Sequence, residues 1–219
     1  MAPILTDLGA NPLNPKCNLK QVSYVVPDAR WSDHSGGGQS QNLGLGPDWV
    51  GNIVNAVGND PNNCGYWNNT IILITWDDWG GWYDHVPPFS ATGYIGSGNG
   101  NGQQYVYGFR VPLLVVSPYT LPVVDGPQSN FTCTGTTYCH DFGSILLFIE
   151  DNFGLSPGGI GDPHYPYADY FAPDFSSPLG DFINTDTAQS APNITVQHDP
   201  SFFINFQGQP MDPDNDADE

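Results

Sequence analysis

Residues 74–89 read ITWDDWGGWYDHVPPF. Two adjacent carboxylates, Asp77 and Asp78, close an apolar run, and His85 follows in the same aromatic, glycine-rich stretch. Two carboxylates held close together repel unless a proton or a cation sits between them. A hard divalent ion with oxygen ligands is the natural resolution. Successive strand residues face opposite sides of a sheet, so these neighbours can serve one site only if the chain leaves the strand at Asp77. Gly80 and Gly81 provide for such a sharp departure. The plain alternative is an Asp pair capping a turn over a core of Trp76, Trp79, Trp82 and Tyr83, with His85 as a packed histidine. His140 precedes a helix cap. His164 and His198 lie in loops without chemical company, and no role is assigned to them.

The elements around this stretch explain why it matters. Residues 22–26 (VSYVV), 71–76 (IILITW) and 111–116 (VPLLVV) are continuously apolar, the pattern of central strands covered on both faces. GPDWVGNIVNAVGND predicts a helix with an apolar stripe of Trp49, Val50, Ile53, Val54 and Val57, Pro47 in its first turn and Gly58 as its stop. HDFGSILLFIEDNFG predicts another, capped by Asp141, ended by Gly154, and burying Phe142, Ile145, Leu146 and Ile149. Strand, helix and strand over 22–76 make a βαβ unit with a right-handed crossover. The expected fold class is α/β, a mostly parallel sheet flanked by helices, forming one loop-rich domain over residues 1–210 with an acidic tail at 211–219. In such sheets ligands bind beyond the carboxyl ends of the strands, which is where IILITW delivers Asp77 and Asp78.

Composition excludes several functions. Four basic residues stand against 23 acidic ones, a net charge of -19. An electrostatic footprint for nucleic acid is excluded, as is docking on anionic lipid. No run approaches the roughly 18 apolar residues of a membrane span. Four cysteines suit a secreted or periplasmic protein with two disulfides, Cys17–Cys64 and Cys133–Cys139 being the favoured pairing. Sequons occur at Asn68, Asn130 and Asn193. The tail spacing Asp212, Asp214, Asp216 lacks the glycine and terminal glutamate of a calcium loop.

TWDDWGGWYDHVPP resembles the signature of the phosphoesterase family that holds bacterial phospholipases C and related acid phosphatases, within the alkaline-phosphatase superfamily. VVPDARWSDHSGG, GPDWVGNIVNAVGND, GFRVPLLVVSPYT and HDFGSILLFIEDNFGL resemble further segments of that family in the same order, over residues 22–155. The resemblance implies an alkaline-phosphatase-like fold and metal-dependent hydrolysis of phosphate esters through a covalent phospho-enzyme on a Ser or Thr. It implies Asp77 and Asp78 as ligands of a divalent metal. His34, in SDHSGG, would contact phosphate or protonate the leaving group, with His85 a candidate for the same shell and Arg30 for substrate. Phospholipase C members carry a histidine where this chain has Trp79.

The resemblance covers the carboxyl-terminal part of the family pattern. Neither its early Glu-Asn metal pair nor its nucleophile segment is found in this chain. Three accounts follow: a piece of a longer enzyme, an enzyme completed by a second polypeptide, or a shortened form with another task. The rival function is a secreted, non-catalytic binding module that uses its aromatic loops (Trp79, Trp82, Tyr83, Tyr94, Tyr105, Tyr107) to stack on sugars or another apolar-faced ligand.

Overall fold

A computed structural model describes residues 3–11, 17–33, 45–60, 62–86, 108–120, 141–155, 183, 186 and 188–209. The chain divides into two compact units, one of residues 1–75, 113–118 and 187–219, the other of residues 76–112 and 119–186.

The first unit is built on helix α2 (Leu45–Asn59), packed by α1 (Pro3–Asp7) and α4 (Pro200–Ile204). Its apolar stripe is the expected one. Trp49 joins Leu5, Trp31, Leu45 and Phe203 in one core cluster, while Val57 joins Leu8 and Ala56 in a second. Ile53 packs against both. Gly58 does not stop the helix. The helix runs to Asn59 and ends where Asp60 takes a left-handed conformation, φ 38°. The Asp60 carboxylate then accepts the Cys64 amide at 2.7 Å, which satisfies the local backbone and turns the chain.

The opposite stripe of α2 receives an extended carboxyl-terminal strap. A Cβ on Gly51 would lie 2.8 Å from Val196, and one on Gly58 2.7 Å from Ala191, so both glycines permit close backbone approach. The Asn55 side chain accepts from the Ile194 amide and donates to the Ile194 carbonyl, each at 2.8 Å. Asn52 donates to the His198 carbonyl at 2.8 Å. The buried Asp48 carboxylate accepts the Gln197 and His198 amides at 3.0 and 2.9 Å and meets the His198 Nδ1 at 2.7 Å. Burial pushes the Asp48 carboxyl up, but these amides and the imidazole outweigh it and leave it below its usual value.

The described sheet corrects two expectations. Strand β1 (Ile72–Thr75) pairs antiparallel with β2 (Leu113–Val116), Ile72 opposite Val116 and Thr75 opposite Leu113. No parallel pairing, and hence no βαβ crossover, occurs among the described residues. The strands are only partly covered, with Leu114 exposed. Residues 22–26 form no strand: Val22 lies in a bend and the segment joins no ladder among the described residues. Strand propensity is fulfilled only where a neighbour completes the ladder, and none of the described elements lies beside them.

In the second unit α3 (Phe142–Phe153) begins and ends as expected. Asp141 and Ser144 form a reciprocal capping box, and Gly154 closes the helix at φ 66°. Its buried stripe is rotated. Gly143, Ser144, Leu147 and Glu150 are buried, whereas Phe142 is exposed. FGSILLFIEDNF carries apolar residues on several faces, so periodicity alone does not select the buried one.

Cys17 and Cys64 form a disulfide with a Cα separation of 5.6 Å, as expected. The Cys133–Cys139 pairing and the acidic tail lie outside the described residues. Cross-linking two positions 47 residues apart lowers the entropy of the unfolded chain by about 4 kcal/mol in free energy. The Cys17→Ser/Cys64→Ser double variant is therefore expected to melt roughly 10 °C lower by scanning calorimetry. An unchanged melting temperature would contradict this account.

Candidate active site

The stretch after β1 behaves as its glycines require. Trp76–Val86 contains no helix or strand. Gly80 and Gly81 both take left-handed conformations, φ 64° and 70°, which turn the chain within two residues and which other residues adopt only with strain. The Asp78 carboxylate accepts the Gly80 amide, and the Trp82 amide returns to the Trp79 carbonyl at 3.2 Å. Asp78 thus caps the turn while both it and Asp77 remain exposed.

Two contacts tie this turn to residues 108–110. Trp79 packs edge-on against Phe109 at 5.2 Å and covers Gly108, where an added Cβ would come within 3.0 Å of the indole. Tyr83 meets the same Phe109 ring at 6.1 Å. Next to this aromatic contact, Arg110 forms a two-pronged pair with Asp84, Nε to Oδ2 at 2.6 Å and Nη2 to Oδ1 at 2.7 Å. Such planar fork geometry is specific to arginine. Asp84 Oδ1 also accepts the Val86 amide at 3.0 Å. The Arg110 guanidinium holds the Asp84 carboxyl far below the usual carboxylate range, and the Val86 amide acts in the same direction. Sequence reasoning assigned Asp84 nothing. The available signal was the scarcity of cations, since an arginine in so acidic a chain lies beside a carboxylate.

The candidates divide as follows. Asp77, Asp78 and His85 share the turn. His85 is largely exposed and lies 3.5 Å from Asp84 Oδ1, too far for a good hydrogen bond. Arg30 belongs to the other unit. Its guanidinium forks onto Asp28 at 2.6 Å through both prongs, donates to the Gln209 carbonyl at 3.0 Å and lies over the Phe206 ring at 4.2 Å. His34 lies outside the described residues, as does His140. His198, assigned no role, holds the strap to Asp48.

As a metal site the described residues fit in kind but fall short in number. Two exposed carboxylates are suitable hard donors, but no group of three or more His, Cys, Asp or Glu side chains is gathered for an ion among the described residues. A hard divalent ion takes about six oxygen ligands. No described helix is long and apolar enough to cross a membrane.

Acid titration tests the Asp84–Arg110 fork. A carboxyl depressed in the folded state contributes stability above its unfolded value of about 4, and loses it only as pH falls through the lower folded value. Carboxyl NMR should find Asp84 ionised at about pH 3, and Arg110→Met should move its midpoint upward. A wild-type midpoint at the unfolded value would refute the fork.

Comparison with known proteins places the chain among phosphoesterases. The chain is 31% identical over 150 residues to the non-hemolytic phospholipase C of Burkholderia pseudomallei, covering 62% of this chain and 19% of that protein. It is 31% identical over 124 residues to the non-specific phospholipase C4 of Arabidopsis thaliana, covering 51% and 22%. It is 27% identical over 188 residues to the hemolytic phospholipase C of Pseudomonas aeruginosa, covering 81% and 23%. The chain therefore spans about a fifth of the length of these curated relatives. No solved structure matches. A sequence model of the phosphoesterase family matches residues 14–156, a span that includes α2, both strands, the Asp77–Asp78 turn and α3, and the chain belongs to the phosphoesterase family.

Proposed function

We propose that this chain carries part of the active site of a secreted or periplasmic, divalent-metal-dependent phosphate ester hydrolase of the phospholipase C or acid phosphatase type. The observation that carries the reading is the family match running through the turn at the end of β1, where both Asp77 and Asp78 remain exposed. In hydrolysis the bond from phosphorus to the leaving oxygen breaks, water supplies the replacing oxygen, and a proton reaches the leaving group. Asp77 and Asp78 are assigned to hold the ion. An ion held there would supply positive charge to offset that of a phosphate ester. His34 and His85 are assigned to phosphate contact and proton delivery, and Arg30 to the substrate. No residue of this chain is assigned the nucleophile's role, and the ion needs further ligands beside Asp77 and Asp78.

The charge balance supports the need for an ion. Phosphate approaches a chain of net charge -19 against long-range repulsion, and both arginines already face carboxylates. The second reading, a binding module without turnover, is favoured by one observation: Trp82 and Tyr83 are 71% and 83% exposed, a stacking surface without a described cover.

The test is metal analysis of the purified chain together with hydrolysis of p-nitrophenyl phosphate and p-nitrophenyl phosphorylcholine. Expected are a bound divalent ion and turnover that chelation removes. Asp77→Asn and Asp78→Asn should each lower both by at least a factor of about 100, the loss that follows removal of a strong charge-stabilising group, with circular dichroism unchanged. Full activity in the double variant would dispose of the site. Bound metal with no turnover would favour the binding module.

A further inference from the structure

We propose that Asn193 is an acceptor site for an N-linked oligosaccharide. The inference rests on the reading of this chain as a secreted protein and is independent of hydrolysis. Residues 193–195 read Asn-Ile-Thr. The acceptor motif is an asparagine, a residue other than proline and then a hydroxyl, and the folded surface must leave room for a bulky group. The strap along α2 provides that room. Residues 191–196 form no helix, strand, turn or bend. Ile194 and Val196, two residues apart, both face the helix: a Cβ on Gly51 would lie 3.1 Å from Ile194 and 2.8 Å from Val196. Asn55 fixes the Ile194 backbone through its amide and its carbonyl, each at 2.8 Å. Side chains two apart on an open chain share one side, and their neighbours take the other. Asn193 and Thr195 are accordingly exposed, and neither side chain hydrogen-bonds to a described residue. The amide and the hydroxyl that the transfer requires both point outward, while the strap is anchored by groups that the modification leaves untouched.

Two further observations select this sequon. Cys17 and Cys64 are joined, and disulfides form and persist in the oxidising compartments of the secretory route, where glycan transfer also takes place. The sequon at Asn68 is differently placed. It lies in a short 3₁₀ helix, Trp67–Asn69, and Asn68 already has an interaction partner. Beside it, Trp67 donates to the Gln189 carbonyl at 2.9 Å and Asn69 to the Gly65 carbonyl at 3.1 Å. Side chains there are committed to holding a turn. Asn130 lies outside the described residues. The donor is a lipid-linked oligosaccharide diphosphate, and the step is catalysed by a membrane transferase. The Asn193 Nδ2 bonds to the anomeric carbon of the first sugar. The bond from that carbon to the diphosphate oxygen breaks, and the lipid diphosphate leaves with the electron pair. The proton lost from Nδ2 passes to a base of the transferase.

The test is peptide mapping of the full chain, both isolated from its source and secreted from yeast behind a leader sequence. An amidase that removes N-linked glycans, used in heavy-oxygen water, converts an occupied asparagine to labelled aspartate. The label is expected at Asn193 in both samples. In the yeast-secreted chain, Asn193→Gln and Thr195→Ala should abolish modification at that position, and Thr195→Ser should retain it. Circular dichroism should be unchanged in all three variants, because neither side chain anchors the strap. Asn193 unlabelled in either sample, in a chain whose Cys17 and Cys64 are joined, would overturn the proposal and leave the secreted reading standing. An unlabelled Asn193 in a source chain with both thiols free would overturn the two together. A label confined to Asn68 or Asn130, or one at Asn193 that survives Thr195→Ala, would also overturn the assignment.

Discussion

The scarcity of positive charge is the constraint on which the described structure turns. With four basic residues against 23 acids, each guanidinium is a structural resource. Both are committed to two-pronged pairs with carboxylates: Arg30 with Asp28, Arg110 with Asp84. Each pair lies outside helix and strand. Asp28–Arg30 secures the chain as it leaves residues 22–26, and the Arg30 guanidinium lies over Trp31 and Phe206. Asp84–Arg110 ties the glycine turn after β1 to the segment before β2. The same commitment removes both arginines from easy contact with a phosphate. In an acidic chain the charge that stabilises the fold and the charge that would bind an anion compete for the same few groups.

Helix α2 shows a second economy of residue types. Its apolar stripe faces the core, and its other stripe, Asp48, Gly51, Asn52, Asn55 and Gly58, is polar or small at helical spacing. That stripe reads the strap 191–198 through side chains bonded to strap backbone. An extended segment without a sheet must still satisfy its amides and carbonyls, and asparagine and aspartate side chains serve as the missing ladder. The buried Asp48 would be costly alone. It is stabilised because three donors converge on it.

What the sequence disclosed follows from which physics is local. The Asp141 cap, the Gly154 stop, the α2 core stripe and the departure at Gly80–Gly81 are decided by residues within a turn of one another, and each was legible. Cys17–Cys64 was legible as a favoured pairing. The Asp84–Arg110 fork and the Asp48–His198 contact join residues 26 and 150 positions apart, and no periodicity announces them. Gly58 misled because a glycine near a helix end has two uses, a left-handed stop or a close approach, and here Ala191 claimed the second. The buried face of α3 was read one position off because its apolar residues do not mark a single stripe. At the candidate site, the two carboxylates and their turn could be read, but the number of further ligands could not.

Residues 22–26 and 71–76 are near-equivalent as sequences, yet only the second contains a strand. Both are apolar and β-branched, so intrinsic preference does not separate them. What differs is the neighbour: Ile72–Thr75 has Leu113–Val116 in register, while the described part of the chain offers Val22–Val26 nothing. Strand formation exchanges water for protein at each amide, and the net gain is small unless side chains are buried as well. An isolated segment gains neither and stays open. The same argument explains why β1 and β2 remain half-covered, since a two-stranded ribbon buries little by itself. The continuous apolar character of all three segments is the pattern of strands with two covered faces, and among the described residues only β1 and β2 realise it as a ladder.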